Sequence, residues 1–327
     1  MQYAARTTQY VRIQLLHRKQ LRGIIQIALS GLLLGLILRQ VHWAEVRDAL
    51  WRIDLRWLAS AWGLFVAGVI VRAARWQVLL DALGVHRPLG ELTTWYFIGG
   101  FFNVLLPTGF GGDAVRVAEL AQDTRRPGPV LNSVVVDRYL GLMVLLAMGV
   151  AAALFQPGVA PAGVMLLTAG LFGGGLLAAW LLRRGWWTCW GARADFLGRA
   201  VRLLRLPALA EALAPYDRPA LVRGLVTSLA FNLLQIGWNL AIAQGLELHL
   251  PVATYLAFVP LTAVALMLPA FGGLGVRELS YVGLFGSVGV PQAAALALSL
   301  GVYIITVATG LIGGALYLIA GIRRARI

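Results

Sequence analysis

The sequence predicts an all-α polytopic membrane protein, an inverted repeat of about six spanning helices with two re-entrant hairpins and interfacial amphipathic helices. Three observations predict it. The 327 residues are 59% hydrophobic and 13% charged, with a mean hydropathy of +0.77. A soluble domain is about a quarter charged, and here the deficit is concentrated in apolar runs near the ~20 residues that cross a bilayer. A motif recurs in two halves of the chain. The arginines cluster on one side of the implied topology.

The N-terminal segment 1–22 is basic, with Arg6, Arg12, Arg18, Lys19 and Arg22, and is expected in the cytoplasm. The apolar stretch Ile24–Leu38 follows without a small-x-small cleavage site, so it reads as an uncleaved first span. Trp43, Val46, Leu50, Ile53 and Trp57 then recur in steps of three and four, one helical face expected to lie in the membrane interface. A second span is expected over Trp57–Leu80, an interrupted hairpin over Glu91–Gln122 and a third span over Val130–Phe155.

The same plan returns. Leu105–Arg116 reads LLPTGFGGDAVR and Met267–Arg277 reads MLPAFGGLGVR, sharing F-G-G-x-x-V-R. Asp48–Leu58 and Glu211–Leu221 share an Ala-Leu pair, an Asp and a final Leu, and Pro129 and Pro291 follow the hairpins at nearly one offset. Such self-similarity marks duplicated units. Residues 1–327 therefore form a single transmembrane domain of two repeats, 23–155 and 161–321. The second repeat comprises spans over Pro161–Leu182, Ala220–Glu247 and Gln292–Gly321, an amphipathic stretch from Trp187 to Leu204, and a hairpin over Pro251–Phe285.

Each hairpin breaks at Leu-Pro followed by glycines, and irregular backbone at membrane depth survives only beneath protein or along a wet cavity. If each hairpin returns to its own side, each repeat crosses three times and the second is inverted. Arg72, Arg75, Arg87, Arg125, Arg126, the arginines between 183 and 223, and Arg323, Arg324 and Arg326 then fall on the cytoplasmic side, as the positive-inside rule requires. Both termini would be cytoplasmic and the chain multi-pass in the cell membrane. Arg39–Arg56 is the exception, with four arginines outside.

The formal charge of +14 is accounted for by these flanking arginines, so no nucleic-acid partner is expected. No G-x-x-x-x-G-K-[ST] or G-x-S-x-G pattern occurs, and His17, His42, His86 and His249 lack metal spacing. No cofactor, metal or catalytic residue is expected. Cys189 is the sole cysteine.

Ionisable residues inside a membrane are functional candidates by default. Asp113, Arg116, Asp137, Arg138, Arg277 and Glu278 lie in or beside the hairpins. Gly111, Gly112, Gly272 and Gly273 precede helix starts, where unpaired amides carry partial positive charge. With Arg116 and Arg277 one turn inside, each start is suited to a phosphate, and inversion would present one to each leaflet. Asn103 stands before the first hairpin tip, and Asn232, Gln235 and Asn239 share a helical face. Trp95, Tyr96, Tyr255 and Tyr281 are expected in the interfacial belt. Internal ion pairing that only braces the hairpins is the plainer alternative for the charges.

The segments RAARWQVLL (from Arg72), LLPTGFGGDAVRVAEL, VVVDRYLG (from Val134) and LPAFGGLGVRE resemble the lysylphosphatidylglycerol synthase transmembrane family of flippase-like proteins, over nearly the whole chain. In that family's best-known members the membrane unit is fused to a cytosolic aminoacyltransferase domain. Only six residues follow Gly321 here, so the resemblance implies translocation of an anionic phospholipid or isoprenoid-linked lipid, with membrane lipids as partners, and not lipid lysylation. Two alternatives stay open: an accessory subunit positioning a membrane or cytosolic lipid enzyme, and an embedded lipid-modifying enzyme with Asp113, Asp137 or Glu278 as general base.

Overall fold

The computed structural model describes residues 43–106, 111–184, 214–267 and 273–324. The segment 1–22, the first expected span, the amphipathic stretch from Trp187, and the motif residues 107–110 and 268–272, Gly272 among them, lie outside the described residues. The described part of the chain is a multi-pass membrane bundle of ten α-helices: α1 (Trp43–Trp51), α2 (Leu55–Ala82), α3 (Leu89–Leu105), α4 (Gly111–Thr124), α5 (Pro127–Phe155), α6 (Ala162–Arg183), α7 (Arg218–Gly245), α8 (Val252–Ala265), α9 (Val276–Gly286) and α10 (Gln292–Arg324).

Five of them, α2, α5, α6, α7 and α10, are long and apolar enough to cross a membrane. Their starts follow from local chemistry. Asp54 accepts from the Arg56 N–H at 2.9 Å and Asp217 from the Ala220 N–H at 2.9 Å, capping α2 and α7. Proline opens α5 and α7, where a missing N–H is harmless. The outward faces carry Leu154, Phe155, Leu166, Val226 and Leu311, all exposed, which in lipid is the stable arrangement.

The amphipathic face read from Trp43 to Trp57 is interrupted. The helix ends at Trp51, and Trp57 belongs to α2, because Asp54 starts a new helix. Val46 of α1 is buried against Leu296 of α10, while Trp51 remains 83% exposed.

The backbone N–H of Asp54 donates to the Gly245 carbonyl, so the start of α2 meets the end of α7 and the two pack antiparallel as the central pair of the bundle. Around them the packing is reciprocal: α3 lies on α10, and α8 lies on α5. At 1.5 Å per residue, α3, α4, α8 and α9 are about 16–26 Å long, shorter than the ~30 Å hydrocarbon core. Each pair folds back on itself. Arg87, just before α3, pairs with Asp123 near the end of α4, and Tyr255 near the start of α8 packs on Phe285 at the end of α9, centroids 5.6 Å apart. The open end of the first hairpin therefore adjoins the end of α2, and that of the second adjoins the end of α7, at opposite ends of the bundle.

Glycine is required where the first hairpin closes. A Cβ on Gly112 would stand 2.1 Å from the Gly99 carbonyl oxygen, so α3 and α4 meet backbone to backbone. In the second hairpin Gly273 adopts a φ of 76°, which side chains disfavour.

Candidate functional site

Between α2, α5 and α7 and the second hairpin lies a cavity of about 300 Å³. Its charged lining is Arg72, Arg75, Arg138 and Arg277, its amides are Asn232, Gln235 and Asn239, and no carboxylate lines it among the described residues. Arg72 and Gln235 each lie ten residues from the end of their helix and Arg138 eleven from the start of its own. That is about 15–16 Å along the axis, half the depth of a bilayer core.

The arginines are held by aspartates standing behind this lining. Asp137 is fully buried and accepts from Arg75 Nε at 2.6 Å and from the Tyr96 hydroxyl at 2.9 Å. Arg75 also donates to Ser228 Oγ at 3.0 Å. Gly141 makes room for it, since a Cβ there would meet the Arg75 guanidinium at 2.7 Å. Asp113 is shared: one oxygen takes Arg116, the other takes Arg138 Nε at 2.6 Å. Asp113 and Asp137 thus divide between them Arg75, Arg116 and Arg138.

Arg72 is held differently. Its guanidinium lies 4.9 Å from the Tyr96 ring centroid and 5.3 Å from that of Phe231, and its Nε is buried with no hydrogen-bond partner among the described residues. Tyr96, Arg72, Arg75, Arg116 and Arg138 with their two aspartates therefore carry an excess of positive charge at membrane depth, where Coulomb interactions are weakly screened. An anion entering the cavity would neutralise it.

The two motif arginines are placed unlike one another. Arg277 is 6% exposed, lines the cavity and lies 5.0 Å over the Tyr303 ring. Arg116 is 2% exposed, lies off the cavity, and is stacked 3.8 Å from the Tyr96 centroid and 4.8 Å from that of Trp76. Gly111 and Gly112 fall in the first turn of α4, where Asn103 Oδ1 accepts from the Gly112 N–H at 2.7 Å. Asn103 thus caps a helix start. Glu278 turns back to accept from the Gly275 N–H at 2.6 Å, the acidic half of a capping box. Asn232 donates to the Gly141 carbonyl at 3.0 Å.

Arg72 and Arg75 differ from their expected place: they are not flanking cytoplasmic arginines but line the cavity from within α2. Their three-residue step on an apolar helix was the available signal. Tyr96, Tyr255 and Tyr281 also leave the expected aromatic belt. All three are buried: Tyr96 donates to Asp137 and Tyr281 to Asn239 Oδ1 at 2.6 Å, satisfying their hydroxyls at depth, while the Tyr255 ring packs on Phe285 and its hydroxyl has no hydrogen-bond partner among the described residues.

The chain matches the family described as Lysylphosphatidylglycerol synthase TM region over residues 23–314, and it belongs to that family. No curated protein and no solved structure matches it.

Proposed function

From a membrane-domain family tied to a phospholipid, we propose that this chain is a translocator that passes a lipid with an anionic headgroup, a phospholipid or an isoprenoid-linked lipid, across the cell membrane. The observation that carries the proposal is the cavity at half depth, lined by four arginines and no carboxylate among the described residues. Arginine inside a membrane is costly and marks a substrate pathway, and Asp113 and Asp137 leave the group of Arg72, Arg75, Arg116 and Arg138 with a surplus of positive charge.

The antiparallel α2 and α7, the reciprocal packing of each hairpin on the other half, and hairpin mouths at opposite ends support two inverted repeats with re-entrant hairpins. Together with the arginine distribution they support six crossings and cytoplasmic termini. In such a design the halves exchange roles. Arg277 of the second hairpin faces the cavity while Arg116 of the first is sealed beneath Trp76 and Tyr96; rocking of one half against the other would bring Arg116 forward for the opposite leaflet. The aspartates brace this machinery. Both oxygens of Asp113 and both of Asp137 are engaged, which disfavours a general-base role for either.

Purified protein in liposomes should scramble a fluorescent phosphatidylglycerol faster than protein-free liposomes do. Equal rates would remove the proposal.

A further inference from the structure

The cavity's lining combines two chemistries side by side. α2 and α5 contribute Arg72, Arg75 and Arg138, and α7 contributes Asn232, Gln235 and Asn239. Arg72 and Gln235 each stand eighteen residues after the aspartate that caps their helix, so the same station is a cation in one half and an amide in the other. Arg72 Nε has no hydrogen-bond partner, and the Gln235 side chain makes no hydrogen bond, among the described residues.

We infer that the cavity selects a headgroup in which a phosphate is joined to an uncharged, hydroxyl-bearing group such as glycerol or a sugar, and that it rejects aminoacylated headgroups. The inference rests on the reading of this cavity as a lipid-headgroup site. Guanidinium groups suit a phosphate through charge and paired N–H donors. Asn239 is engaged by Tyr281 and the Gln235 carbonyl and Asn232 donates to the Gly141 carbonyl, so Gln235 is the carboxamide that meets the ligand, and a carboxamide both donates and accepts, which matches hydroxyls. An ammonium only donates, and it would face arginines with no carboxylate lining the cavity among the described residues. Lysylphosphatidylglycerol carries two ammonium groups to one phosphate, so its headgroup is net cationic and meets like charge here. The volume of about 300 Å³ is at the lower end for small-ligand sites, which admits a headgroup while the chains stay in lipid.

The test is competition for the detergent-purified full chain, read by native mass spectrometry. The probes are phosphatidylglycerol, a polyprenyl-phosphate sugar, phosphatidylethanolamine and lysylphosphatidylglycerol. Either hydroxylated phosphate lipid, and which one dominates identifies the source, should be retained about tenfold or more over lysylphosphatidylglycerol. Gln235→Glu should shift that ratio toward lysylphosphatidylglycerol without changing the melting temperature, because it adds the missing carboxylate. Retention of lysylphosphatidylglycerol equal to phosphatidylglycerol, or an unmoved ratio in folded Gln235→Glu protein, overturns the inference. Binding is read without transport. Selective binding with no scrambling upholds this inference and removes translocation, whereas scrambling of both lipids alike with unselective binding does the reverse.

Discussion

Arg75 and Asp137 form a 2.6 Å ion pair in the interior of the bundle, 62 residues apart in sequence, with Asp137 fully buried. Tyr96 and Ser228 complete it. The pair joins α2 to α5 and, through Ser228, to α7, and so fixes one wall of the cavity.

Breaking a buried pair leaves an uncompensated charge, which costs about 3–5 kcal/mol. Asp137→Asn should accordingly lower the melting temperature in detergent markedly. The double variant Arg75→Met/Asp137→Leu removes both charges and should melt closer to the unmutated protein. If Asp137→Asn melts as the unmutated protein does, the pair does not brace the wall.

Arg277 and Arg72 are the arginines expected to touch the anion. Losing one charge-assisted contact should cost about 1.5–3 kcal/mol, or roughly ten- to a hundredfold in affinity for phosphatidylglycerol. Lysine at either position should recover only part, because the planar fork is lost. Affinities unchanged in both Arg72→Ala and Arg277→Ala would show that the phosphate binds elsewhere.

Gly112→Ala places a Cβ 2.1 Å from the Gly99 oxygen, and neither backbone can retreat without opening the hairpin. Overpacking of this kind costs about 1–3 kcal/mol. Gly100 has open space around an added Cβ, so Gly100→Ala should be nearly neutral. Melting curves of the two variants side by side check the contrast.

The proposed inverted architecture predicts opposite accessibility of the hairpin tips. On a Cys189→Ala background, Leu106→Cys and Met267→Cys in oriented vesicles should react with membrane-impermeant thiol reagents from opposite sides. Labelling of both from one side would contradict inversion.

Much of the fold was legible because hydropathy reports length directly: α2, α5, α6, α7 and α10 end within a few residues of the apolar runs. The Asn232, Gln235 and Asn239 face was legible from spacing alone. Arg72 and Arg75 were not read as site residues, because the rule that explains flanking arginines assigns them to a loop before any cavity is considered. Tyr96 was hidden for a related reason: a tyrosine near a helix start reads as belt, and its partner Asp137 lies 41 residues away. The inequality of Arg116 and Arg277 is also invisible in two matching motifs, since it depends on which hairpin faces the cavity.

The arginine-lined cavity is proposed to move anionic lipid. The most direct measurement is scrambling of fluorescent phosphatidylglycerol in proteoliposomes carrying the unmutated chain or Arg72→Gln/Arg277→Gln, normalised to folded protein, with a zwitterionic lipid as control. The unmutated chain is expected to scramble phosphatidylglycerol well above protein-free liposomes, and the double variant to lose most of this, by roughly a hundredfold if each arginine supplies about 1.4 kcal/mol. Scrambling by the folded double variant at the unmutated rate would contradict it.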